Sequence, residues 1–211
     1  MITLLAGVSL TARARNDDDD RDYSKVNGSV RVAAGLKVGD ASTVNGSITI
    51  ERGATAEDVE SVNGRIAVED GARVSSLETV NGSITLGPKA EVRDDVEAVN
   101  GSIRLDDGAR VAGDVENVNG DIDLDAATID GRISTVNADI DIGPRSRVVG
   151  GIHVEERSNW GWGWNNKSDL PRITIGEGAV VGPLDLGREV ELVVAPGATV
   201  GPITGVTPKR L

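Results

Sequence analysis

The sequence predicts an all-β fold: a single-stranded parallel β-helix (a β-solenoid), three-sided and right-handed, of about nine coils of 18–19 residues. Three observations predict it. The tripeptide Val-Asn-Gly begins at Val26, Val44, Val62, Val80, Val99 and Val118, with a Val-Asn-Ala variant at Val136, at intervals of 18, 18, 18, 19, 19 and 18 residues. Inside each unit, Ile48-Thr49-Ile50, Ile84-Thr85-Leu86 and Ile103-Arg104-Leu105 alternate with the period of two that marks a strand. Aromatic residues make up only 2% of the chain and phenylalanine is absent, while glycine reaches 27 of 211 residues. A core of Val, Ile, Leu and Ala suits thin layers, and the glycines suit repeated turns.

A repeat of this length is too short for a helix-turn-helix unit, which needs more than about thirty residues. Aliphatic residues recur about every six positions, as at Val62, Val68, Val74 and Val80, which predicts three core strands and three corners per coil. One coil cannot bury its apolar side alone, so stability must come from stacking. Each Asn-Gly reads as a corner, where both residues tolerate positive φ. Stacking then aligns Asn27, Asn45, Asn63, Asn81, Asn100, Asn119 and Asn137 into a structural ladder of side-chain amides. The register resumes at Ile173-Thr174-Ile175 and again at Leu192-Val193-Val194. Right-handedness is expected because left-handed hexapeptide helices favour small residues where Ile48, Ile66, Ile84 and Ile103 stand, and 19-residue coils break strict hexads.

The solenoid is expected over 25–206, with a Trp-rich loop insertion at 155–171 and a C-terminal tail at 207–211. Residues 2–10 are a short apolar run followed by Ala12-Arg13-Ala14, a small-x-small pattern. Residues 1–14 therefore read as a signal-peptide remnant, and the protein as exported to the periplasm or cell surface of a bacterium. Residues 15–24, with Asp17 to Asp20 in a row, read as an acidic leader.

The repeated VNGSI and VNGSITL units resemble the adhesin-type β-solenoid domain found in many exported bacterial proteins, a resemblance that covers nearly all of the chain after residue 24. The second half of each unit, as in GARVAGDVE (108–116) and GATVGPI (197–203), is similar to bactofilins, polymer-forming cytoskeletal proteins with a right-handed triangular β-helix. Neither resemblance brings a catalytic motif. The first implies an exported structural or binding module, and the second implies self-polymerisation.

The remaining chemistry is sparse. With no cysteine, disulfides and thiolate chemistry are excluded. A net charge of −12 with scattered basic residues argues against nucleic acid as a partner. The apolar run at the N-terminus is too short to span a bilayer. His153, the single histidine, has no evident nucleophile to activate. No catalytic residue and no cofactor is expected.

An acidic patch of Asp121, Asp123, Asp139 and Asp141 should stack on an outer face, flanked by Arg104 and Arg172. Such hard oxygen ligands suit calcium, and a charge-balanced surface is the simpler outcome. Trp160, Trp162 and Trp164, with Asn165 beside them, are the contact residues expected for a protein or glycan surface, unless the loop folds back over the solenoid.

Three functions follow from these residues. The first is a non-enzymatic exported scaffold or adhesin-like binder, monomeric, with the Trp-rich loop as contact surface. The second is a bactofilin-like scaffold that polymerises head to tail through exposed strand edges. The third, a carbohydrate-active β-helix enzyme, needs paired acids in a cleft that nothing in the sequence announces.

Overall fold

The computed structural model describes residues 21–156 and 170–210, and every helix-or-strand element among them is a strand. The chain winds into a β-solenoid of about nine turns with three parallel sheets as its sides. The first sheet has ten strands, from Tyr23–Asn27 to Ile203–Gly205. The second also has ten, from Val30–Val32 to Lys209–Arg210. The third has seven strands of two residues, from Arg73–Val74 to Thr199–Val200, and single bridges Lys37–Thr55 and Thr55–Arg73 carry it back into the early coils. Nine steps at the parallel-strand spacing give a stack of about 43 Å.

Repetition of the sequence becomes repetition in space because the register is maintained from coil to coil. Ile48 pairs with Ile66 and Ile66 with Ile84, while Asn45 pairs with Asn63 and Asn63 with Asn81. Each 19-residue coil absorbs its extra residue at a corner, so Ile84 still faces Ile103. The insertion at 155–171 does the same on a larger scale, and Ile140 pairs with Ile173 across it.

One coil shows how the interior is filled without rings. Ile66 and Val68 point inward from the second sheet, Ala72 from a corner, Val74 from the third sheet and Leu77 from the first, all at 0–1% exposure. Full burial of each branched side chain is worth about 1.5–3 kcal/mol, and the interior is too thin for a phenyl ring in every layer.

Two sequence expectations need correction. Val62 and Val80 are not core residues: they lie half-buried on the outward side of the first sheet, and Val59 and Leu77 are the inward residues. The first-sheet strand is longer than a six-residue period allows, so the inward position falls three residues earlier. The corner asparagines also do not take positive φ, since among the described residues the non-glycine ones that do are Lys89, Ala126 and Arg145. Strand pairing also includes residues on either side of 25–206. Tyr23 and Ser24 pair with Ala41 and Ser42, and Lys209 pairs with Glu191, to which its ammonium also bonds at 2.8 Å.

The glycine of Asn-Gly is needed for space. A Cβ on Gly64 would fall inside the backbone carbonyl of Gly46 one layer away, whereas a Cβ on Gly53, in a turn at φ +65°, meets nothing. Gly64→Ala is therefore expected to cost about 3 kcal/mol as an overpacked contact. Gly53→Ala should cost about 1 kcal/mol for its left-handed backbone. Urea unfolding of both variants checks this, and equal losses would sink the close-approach account.

Candidate functional site

The corner between the first and second sheets carries the asparagine ladder. Each Asn Nδ2 donates to the Oδ1 of the Asn one coil earlier, from Asn45 to Asn27 through Asn137 to Asn119, at 3.0–3.1 Å. The Oδ1 of Asn137 ends the series and accepts from Arg188 Nη1 at 3.0 Å, a group that also donates to the Val136 carbonyl. At this same corner the chain leaves Val154 and returns at Arg172, so the Trp-rich segment replaces an Asn-Gly corner. Trp160, Trp162, Trp164 and Asn165 lie outside the described residues, as do the signal-peptide remnant and Asp17 to Asp20.

Two further ladders were legible only as weak preferences. From Thr43 onward the residue before each Val-Asn points inward and is polar in most coils. Thr43, Ser61 and Thr79 donate their hydroxyls to the carbonyls of Gly28, Gly46 and Gly64, and Asn117 Nδ2 does the same for Gly101. These bonds satisfy carbonyls that the tight corner takes out of water. The recurring Thr-Val-Asn and Ser-Val-Asn was the available signal. At the opposite end of the same strands, Asp22, Asp40, Asp95 and Asp114 each accept the backbone N–H of the residue one layer on, at 2.7–3.3 Å.

Between these edges, the outward face of the first sheet holds two columns. Glu60, Glu78, Glu97 and Glu116 stand directly over one another in register. Two residues on, Val44, Val62, Val80, Val99 and Val118 form a half-buried apolar column beside the asparagines. Burial raises the pKa of all four glutamates. Neighbouring carboxylates raise three of them further: Glu78, Asp58 and Asp40 act on Glu60, Glu116, Glu78 and Asp95 on Glu97, and Asp114 and Asp95 on Glu116, which Arg132 partly offsets. The column continues through Ser134 to His153, whose Nδ1 lies 3.0 Å from Asp185 and whose Nε2 lies 3.5 Å from Glu155. His153 thus sits among carboxylates.

The aspartate patch is assembled as the register requires. Arg104, Asp123, Asp141 and Thr174 are successive partners in the second sheet. With Asp121, Asp139, Ile140 and Arg172, the three from Asp123 onward line an open recess of about 330 Å³. Burial raises the pKa of Asp123, Asp121 and Asp141 raise it further, and Arg104 lowers it. The flanking guanidiniums bond elsewhere, Arg104 to Asp106 and Arg172 to Glu191, each at 3.0 Å. Asp139 accepts the Arg172 backbone N–H at 2.8 Å. Among the described residues no three His, Cys, Asp or Glu side chains gather closely enough to hold a metal ion, the four aspartates included.

Among the described residues no helix is long and apolar enough to cross a membrane. Compared with known proteins, the chain matches no family model, no curated protein and no solved structure.

The sign of the pH dependence follows from the glutamate column. A carboxyl whose folded pKa is raised disfavours the folded state while ionised, and that penalty is lifted as pH falls through the folded pKa. The thermal midpoint is expected to rise between about pH 7 and pH 5, and Glu78→Gln should raise it at pH 7. A midpoint that falls steadily on acidification over this window would contradict this. For the amide ladder, Asn81→Ala removes two bonds in mid-series and should cost about 1–3 kcal/mol in urea unfolding, well above Asn27→Ala at the end.

Proposed function

We propose that this protein is a non-enzymatic, exported, adhesin-like scaffold: a rigid monomeric rod that holds contact surfaces at fixed spacing, at the periplasm or cell surface of a bacterium. The carrying observation is that one register is preserved through ten strands of the first sheet and ten of the second, across an insertion of 155–171. A stack of this kind resists bending because every layer bonds its neighbour on three sides. The resemblance of the VNGSI units to the adhesin-type solenoid of exported bacterial proteins supports the same reading. In this proposal the insertion supplies contact through Trp160, Trp162, Trp164 and Asn165, and its partner is a protein or glycan surface.

A bactofilin-like polymer is the competing reading, and it predicts a different particle. Sedimentation velocity of the chain from Asn16, with negative-stain images of the same sample, separates the two. We expect a monodisperse, elongated monomer. Filaments at moderate salt would overturn the proposal and make the stacked coil itself the product.

A further inference from the structure

We propose that the outer face of the first sheet docks a cationic amphipathic helix of a partner protein. The helix lies parallel to the solenoid axis, with basic side chains over the glutamate column and an apolar stripe over the valine column. This inference rests on the scaffold reading and names one class of partner for it.

Charge is the first reason. Stacked like charges destabilise a sheet, and other acids of this protein are matched to arginines: Arg73 to Glu91, Arg110 to Asp130, Arg52 to Asp70. Glu60, Glu78, Glu97 and Glu116 have no such partner among the described residues. They are half-buried and in register, so a single cationic stripe would neutralise all four at once. A net charge of −12 draws such a partner in over longer range.

The valine column is the second reason. Divalent cations or polyamines could answer the charge, but they would leave Val62, Val80 and Val99 facing water. An apolar stripe beside a basic one removes that surface in the same step.

Spacing selects the helix. The columns repeat at about 4.8 Å. A helix presents one stripe every turn, at about 5.4 Å, and drifts by only about 2 Å over four layers, within reach of lysine and arginine stems. A strand laid along the axis repeats on one face at about 6.7 Å and drifts by about 6 Å, more than a full layer.

The test uses the full chain and a fluorescein-labelled synthetic helix of about 18 residues, five turns. One stripe of the helix is lysine and the adjacent one is leucine. A peptide of the same composition in scrambled order is the control, and fluorescence anisotropy gives both affinities. The wild-type protein should bind the ordered helix at least about tenfold more tightly than the scrambled one.

The combined variant Glu60→Gln, Glu78→Gln, Glu97→Gln and Glu116→Gln should lose about tenfold in affinity, with its circular dichroism retained. A charge-matched variant on other parts of the surface, Glu69→Gln, Asp107→Asn, Glu177→Gln and Glu189→Gln, should change affinity by less than about twofold. Val80→Thr with Val99→Thr should weaken binding several-fold.

Equal binding of ordered and scrambled peptides, or equal losses in the two charge variants, would reduce the effect to diffuse electrostatics and overturn the proposal. Absence of binding by a monodisperse rod would also overturn it while leaving the scaffold reading standing. Filament formation strikes at the scaffold reading alone, whatever the peptide does.

Discussion

Every residue of this solenoid must tolerate the residue directly above and below it, which in many columns is one of its own kind. In-register parallel pairing imposes that condition, and the rest of the structure is a set of answers to it. Aliphatic residues answer by stacking into a dry core, as Ile48, Ile66 and Ile84 do. Amides answer best among polar groups, since one side chain both donates and accepts, which is why asparagine alone fills the corner for seven layers. Carboxylates answer badly to each other unless something intervenes. At the strand start they reach the next backbone N–H, and on the third sheet they meet arginines in adjacent layers. On the first sheet no arginine among the described residues pairs with them, and burial first, then neighbouring carboxylates, raise the pKa of Glu60 and Glu97.

Much of the fold was legible because stacking leaves a periodic record. The Asn-Gly spacing, the Ile-x-Ile alternation and the resumption at Ile173 each predicted elements that the structure contains. What periodicity could not fix was which side of a strand a residue faces. Val62 and Val68 are equally aliphatic, yet only Val68 is in the core. A column of outward valines repeats as faithfully as a column of inward ones, so the repeat itself carries no sign for inside or outside. The same ambiguity hid the glutamate column, which reads in one dimension as ordinary surface charge. Glycine was read for its freedom of φ, whereas at Gly64 the requirement comes from the neighbouring layer, a contact eighteen residues away that no local rule of turns expresses.

The aspartate patch illustrates a related limit. Its columns followed from counting, and the structure places Asp123 beside Asp141 as counted. The orientation of the flanking arginines did not follow, because Arg104 bonds Asp106 just past its own strand and Arg172 bonds Glu191, its partner in the next layer. Long side chains choose partners in three dimensions, and the repeat fixes only their origins.

The amide ladder has a direction, since every Nδ2 points toward the N-terminal end. Six aligned bonds in series therefore act as a small polarised wire, with its electron-rich pole at the Asn137 oxygen, where the Arg188 guanidinium sits. That arginine plays the part a cation plays at the carbonyl end of a helix. Duplicating an interior layer would lengthen the wire without disturbing either pole. The rod can thus grow by whole layers from within, but it cannot be shortened past Arg188 without leaving its negative pole bare.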